Sequence, residues 1–173
     1  PTYKRLIADT IKVLEDAKQY RAIWAGSMSP GGVWDSSQTV RFVVTPIGGA
    51  ASFFAAVPTI DATTGLMTFT VKPDMFGVAK FRVVLRDDAG TEKFGVDSSK
   101  IDSFVVAIAS VNDAPIMNPY STITAKIGAE LYSDSWPTAG PGGWSEVGQT
   151  VAFKFSPLNA QASNCFDVMP RVV

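Results

Sequence analysis

The sequence predicts an all-β protein, a seven-stranded β-sandwich in tandem whose second copy is truncated. Three observations lead there. Apolar and polar residues alternate with period two along most of the chain, as in strands with one wet face. Clusters of Gly, Pro, Asn, Asp, Ser and Thr break that alternation every eight to twelve positions. And the chain repeats itself: W-A-G-S-M-S-P-G-G-V-W-D-S-S-Q-T-V-R-F-V-V-T-P at Trp24 to Pro46 returns as W-P-T-A-G-P-G-G-W-S-E-V-G-Q-T-V-A-F-K-F-S-P at Trp136 to Pro157.

Pro30 and Pro141, Gln38 and Gln149, Thr39 and Thr150, and Phe42 and Phe153 are each 111 positions apart; Phe54 and Pro58 recur at Phe166 and Pro170, now 112 apart. A period of this size marks an array of small domains. It divides the chain into one whole unit, residues 1–114, and the N-terminal half of a second, residues 115–173.

Seven strands fit the first unit, at about 4–14, 18–25, 38–45, 51–57, 65–71, 79–86 and 101–111. In the sixth, Phe81, Val83 and Leu85 face one way and Lys80, Arg82 and Arg86 the other; Val40, Phe42 and Val44, then Met67, Phe69 and Val71, then Phe104, Val106 and Ile108 form further inward sets. Thr63-Thr64-Gly65 and Asp87-Asp88-Ala89-Gly90 are turn chemistry. The best helical candidate, Asp9 to Gln19, carries the β-branched Thr10, Ile11 and Val13 and suits a first strand better. The strand count and the unit of roughly 100 residues indicate an immunoglobulin-like sandwich.

Composition narrows the function. Hydrophobic residues at 46 % and aromatics at 11 % supply a packed core. A net charge of −1 with interspersed Lys and Arg argues against nucleic acid as a partner. No apolar run approaches the roughly 20 residues of a membrane-spanning helix. A start at Pro1 inside a repeat unit reads as an internal fragment. The absence of histidine removes Ser-His-Asp and Cys-His chemistry, and no phosphate-binding glycine loop occurs, so no enzymatic activity is expected. Cys165 has no disulfide partner within the chain and, beside Phe166 and Val168, is expected to be a small buried hydrophobe.

After the last apolar strand the chain reads Val111-Asn112-Asp113-Ala114-Pro115, and upstream stand Ile60-Asp61-Ala62-Thr63-Thr64-Gly65-Leu66 and Arg86-Asp87-Asp88-Ala89-Gly90. This order resembles the cadherin-like tandem repeats of large bacterial and algal surface proteins, over the full first unit and more weakly over the second. The resemblance implies a secreted or surface-displayed rod used for adhesion or structure, often with calcium at the joints between domains. Neighbouring repeats of the same chain are the implied partners, with identical subunits in a filament or surface glycans beyond them.

Strand parity says where calcium would sit. Strands running alternately up and down place the turns after strands 1, 3 and 5 at the end where the chain leaves the unit. Glu15 and Asp16 lie in the first of those turns, Asp74 in the third, and Asn112 and Asp113 form the exit linker. Ca²⁺ takes six to eight oxygens, and clustered carboxylates repel one another without a cation. Asp87 and Asp88 fall at the opposite end, facing the incoming linker at Pro1, and belong to a different joint. Two departures stand against the family pattern. Lys72-Pro73-Asp74 replaces an acidic L-D-R-E loop, and Glu15 and Asp16 align with Ile127 and Gly128 in the second copy. The competing reading makes these acids turn formers and caps of nearby backbone N–H groups.

Two functions therefore stand side by side. One is a structural and adhesive link of an extracellular, cell-surface repeat protein. The other is a module that binds glycan or a partner through the tip loops 26–37 and 137–148, with Trp34 and Trp144 as its contact residues. A recurring tryptophan is most simply core or a packed loop lid, so exposure discriminates the two. The half domain raises a further pair of expectations: either the natural chain continues past Val173, or a neighbouring molecule supplies the missing strands.

Overall fold

The computed structural model describes residues 1–118, 123, 124, 126, 128, 138–159 and 164–171. They fall into two compact units, Pro1–Val111 and Asn112–Val173.

The first unit is all-β. Its strands are β1 (Thr2–Arg5), β2 (Thr10–Leu14), β3 (Tyr20–Ile23), β4 (Ala25–Ser29), β5 (Val40–Ile47), β6 (Phe54–Ile60), β7 (Leu66–Val71), β8 (Gly77–Asp87) and β9 (Asp102–Ala109). One sheet has the order β2-β9-β8-β5, a second β3-β7-β6, and β1 pairs with β4. All pairings are antiparallel except β2 with β9, which run parallel from Thr10↔Val105 to Leu14↔Ala109.

The expected first strand, 4–14, is two strands. β1 pairs with β4 while β2 pairs with β9, so the chain changes sheets between Arg5 and Thr10. β1 is still tied to β9: Arg5 Nη1 donates to Asp102 Oδ1 (3.0 Å) and to the Ser103 carbonyl (2.9 Å), and the Tyr3 hydroxyl donates to Asp102 Oδ2 (3.3 Å). Burial, and then the Asp102 charge, push the Tyr3 phenol far above its usual range. The expected second strand is likewise interrupted at Trp24. The Trp24 and Ala25 N–H groups both donate to the Gly65 carbonyl, at 2.8 and 3.2 Å. The expected fourth strand begins late, at Phe54, because Ala50–Phe53 form a 3₁₀ turn.

The core lies between the two larger sheets and is made by the inward sets the alternation predicts. Phe81, Val83 and Leu85 of β8, Met67, Phe69 and Val71 of β7, and Phe104, Val106 and Ile108 of β9 are all buried. Phe81 stacks on Phe104 at 5.1 Å between ring centroids, and Phe54 of β6 meets Phe81 edge-on at 5.4 Å. Trp24 is fully buried against Tyr3, Phe42 and Phe104. Offset and edge-on rings of this kind add to the area they bury.

In the second unit β10 (Ile116–Met117) pairs with β11 (Ala139–Gly140), and Trp144–Glu146 form a 3₁₀ turn. Residues 151–157 repeat the alternation of β5 and carry no strand assignment among the described residues. Cys165 is exposed, against the expectation of burial, as is every described residue of 164–171. Trp136 and Ile127 lie outside the described residues.

Candidate functional site

The register of the first unit brings its acidic turns to the end where the chain leaves it. β2 ends at Leu14 opposite Ala109 of β9, and β8 begins at Gly77 opposite Ile108. The turns that follow β2 and precede β8 therefore flank the end of β9, as strand parity predicts. Glu15 continues the ladder, its N–H donating to the Ala109 carbonyl at 2.9 Å. Its side chain turns inward, only 2 % exposed, and Oε1 accepts the Val111 N–H at 2.7 Å. Oε2 is also buried and has no hydrogen-bond partner among the described residues. A charged oxygen removed from water without a donor is costly.

Asp16 and Asp74 both adopt left-handed backbone, at φ 59° and 56°. Aspartate tolerates this region better than most residues, and such conformations persist where the surroundings impose them. The Asp74 N–H donates to Asp16 Oδ1 at 3.3 Å, which links the two turns. Lys72 is exposed and forms no ion pair among the described residues.

Asn112 and Asp113 belong to the second unit, and there they are held by the loop around Trp144. Asn112 Oδ1 accepts from Gln149 Nε2 at 3.2 Å, and the Asp113 N–H donates to Glu146 Oε1. Glu146 is 3 % exposed. Sequence reasoning passed over Glu146, yet its signal was present: it stands 111 positions after Asp35, within the repeated P-G-G segment.

Asp87 and Asp88 lie at the other end of the first unit, where β8 finishes opposite the start of β5. Asp88 accepts the Thr39 N–H (3.0 Å) and the Thr39 hydroxyl (2.6 Å), and these bonds hold its carboxyl below the usual range. Asp87 Oδ1 accepts the Ala89 N–H at 3.1 Å, and Oδ2 lies 4.0 Å from the Pro1 ammonium. These are the contacts of turn formers.

The two tip loops share three internal hydrogen bonds. In the first, Gly32 N–H donates to Asp35 Oδ2 (2.8 Å), Asp35 N–H to the Gly32 carbonyl (3.0 Å), and Gln38 N–H to the Asp35 carbonyl (2.9 Å). In the second, Gly143 N–H donates to Glu146 Oε2 (3.1 Å), Glu146 N–H to the Gly143 carbonyl (3.1 Å), and Gln149 N–H to the Glu146 carbonyl (2.8 Å). Since the acid holds each turn from within, neither tryptophan is needed to pack it. Trp34 is 94 % exposed and Trp144 80 %, so the expectation of buried tryptophans holds for Trp24 and fails for these two. Val33 and Phe94 are also exposed on the loops of the first unit.

Compared with known proteins, the chain matches no family model and no curated relative.

Proposed function

We propose that the chain is a structural and adhesive module of an extracellular tandem-repeat protein, a link in a cell-surface rod or filament. On this reading the first unit is a sandwich of the immunoglobulin and cadherin-like kind, and the segment after Val111 opens a second copy. The all-β architecture and the two loops with matching hydrogen bonds support it. Neighbouring repeats are its main partners, and identical subunits its partners in a filament. The reading assigns no catalysis to any residue.

The observation that carries the proposal is Glu15. A buried carboxylate holds the chain where it leaves the unit, and one of its oxygens has no donor among the described residues. A cation fits such a group. Calcium, the ion the resemblance implies, would be held on the first unit by Glu15, Asp16 and Asp74. When bound it would neutralise the acids and stiffen the exit. Asp87 and Asp88 remain turn ties. The test is the melting of residues 1–173 in millimolar calcium and in chelator, with elemental analysis. A higher melting temperature in calcium supports the reading; equal melts without bound metal remove the ion from it.

Exposure of Trp34 and Trp144 favours a second reading, recognition of surface glycans or a partner through the tip loops. Exposed indole faces stack on sugar rings. A glycan array probed with the chain and with its Trp34→Ala and Trp144→Ala variants decides it: loss of a signal in either variant supports the reading, and a blank array removes it.

A further inference from the structure

The second unit shows what its P-G-G loop is for. Loop 141–149 holds the segment that leads into its own unit: Glu146 Oε1 accepts the Asp113 N–H, and Gln149 Nε2 donates to Asn112 Oδ1 at 3.2 Å. Gly142, at φ 120°, makes room for that segment; a Cβ there would stand 2.9 Å from Asp113 Cβ and 3.0 Å from the Ala114 carbonyl oxygen. Two residues later Ile116 pairs with Gly140.

The first unit carries the same loop. Thr2 pairs with Ser29, and Ser29 lies 111 positions before Gly140, so Thr2 takes the place of Ile116 and Pro1 the place of Pro115. Gly31 has the same unusual backbone as Gly142, at φ 149°. Asp35 Oδ2 holds Gly32 as Glu146 Oε2 holds Gly143. The other oxygen differs. Asp35 Oδ1 accepts from Gln38 Nε2 at 2.9 Å, so the two groups whose counterparts hold a linker in the second unit bond to each other in the first. Asp35 is half-buried where Glu146 is buried.

We propose that Pro30–Thr39 is a docking loop for an extended Asn-Asp-Ala segment joined in front of Pro1, the linker of another repeat of the Val111–Pro115 kind. Asp35 Oδ1 accepts the backbone N–H of the incoming Asp, and Gln38, released from Asp35, donates to the side-chain oxygen of the incoming Asn. The loop is then the device by which each repeat grips the strand connecting it to the one before. The inference rests on the tandem-repeat reading but not on calcium.

The test appends Val-Asn-Asp-Ala before Pro1 of the 173-residue chain and compares melting, all in chelator, with the unextended chain and with a Gly-Ser-Gly-Gly extension. The glycine control isolates removal of the Pro1 ammonium from Asp87. The expected result is a rise of about 3–6 °C for Val-Asn-Asp-Ala alone, a shift in the range that one added contact network gives a domain of this size, and its loss in Asp35→Ala. Because Asp35 also holds Gly32, a second cycle pairs Gln38→Ala with replacement of the appended Asn by Ala; the two changes should be less than additive. Equal gains from both extensions, an increment that survives Asp35→Ala, or additive effects in the second cycle overturns the proposal. A chain with no calcium response that keeps the coupling loses the calcium reading and retains this one.

Discussion

Glu15 and Val111, 96 positions apart in sequence, are joined by a buried carboxylate that accepts the backbone N–H at 2.7 Å. The bond fastens the residue after β2 to the second residue after β9, extending a parallel pairing by a side chain once the two strands have ended. Glu15→Gln keeps an oxygen for Val111 and discards the charge. In chelator its melting temperature should lie within about 3 °C of the parent, since a hydrogen bond of this kind is retained. In calcium the parent should gain stability and the variant should not. An equal calcium response in both proteins would take Glu15 out of the site.

Gly65 serves the fold in two ways. It turns at φ 71° after Asp61-Ala62-Thr63-Thr64, and its carbonyl takes the N–H groups of both Trp24 and Ala25. A Cβ there would collide with the Ala25 carbonyl oxygen. Left-handed strain and a backbone clash each cost about 1–3 kcal/mol. Gly65→Ala should therefore lower unfolding stability by more than about 3 kcal/mol in a urea titration. A loss under about 1 kcal/mol would mean that β4 shifts freely, contrary to its place beside the buried Trp24.

Phe81 and Trp34 separate packing from recognition. Phe81 is fully buried between Phe54 and Phe104, and its removal leaves a cavity. Phe81→Ala should cost about 3–5 kcal/mol. Trp34 stands in solvent on a turn that Asp35 holds, so Trp34→Ala should stay within about 0.5 kcal/mol of the parent. Chemical denaturation measures both. A large loss for Trp34→Ala would show that the indole packs in solution and would weaken the binding reading.

The inward faces of β7, β8 and β9 were legible because period-two alternation records burial on one side of a sheet. Phe81, Val83 and Leu85 illustrate it. The crossing between β1 and β2 was not, because the partners that decide it, β4 and β9, are distant in sequence. Strand parity placed Glu15, Asp16 and Asp74 at the exit end, but only the packing shows that Glu15 points inward at Val111. Trp34 misled for a related reason. Repetition implied a packing role, whereas the repeated work of that loop is done by the acid beside it, Asp35 in one unit and Glu146 in the other.

Acid sensitivity should be traceable to turn carboxylates. Asp88 is held below its usual range chiefly by the Thr39 hydroxyl and then by the Thr39 N–H; Asp61 is lowered in the same way by the Thr64 hydroxyl and N–H. A carboxyl with a depressed folded pKa binds protons more readily when unfolded. Its stabilising effect is complete above the unfolded value, 3.8, and disappears as pH falls through the lower folded value. Melting temperature should therefore be level above about pH 5 and drop below about pH 4. Thr39→Val removes the hydroxyl donor from an exposed position while leaving the backbone bond. The gap between parent and variant should be largest near neutral pH and close in acid, as calorimetry from pH 2 to 7 at constant ionic strength can read. A gap of constant size across that range would mean that Thr39 acts through packing and that Asp88 is not its titrating partner.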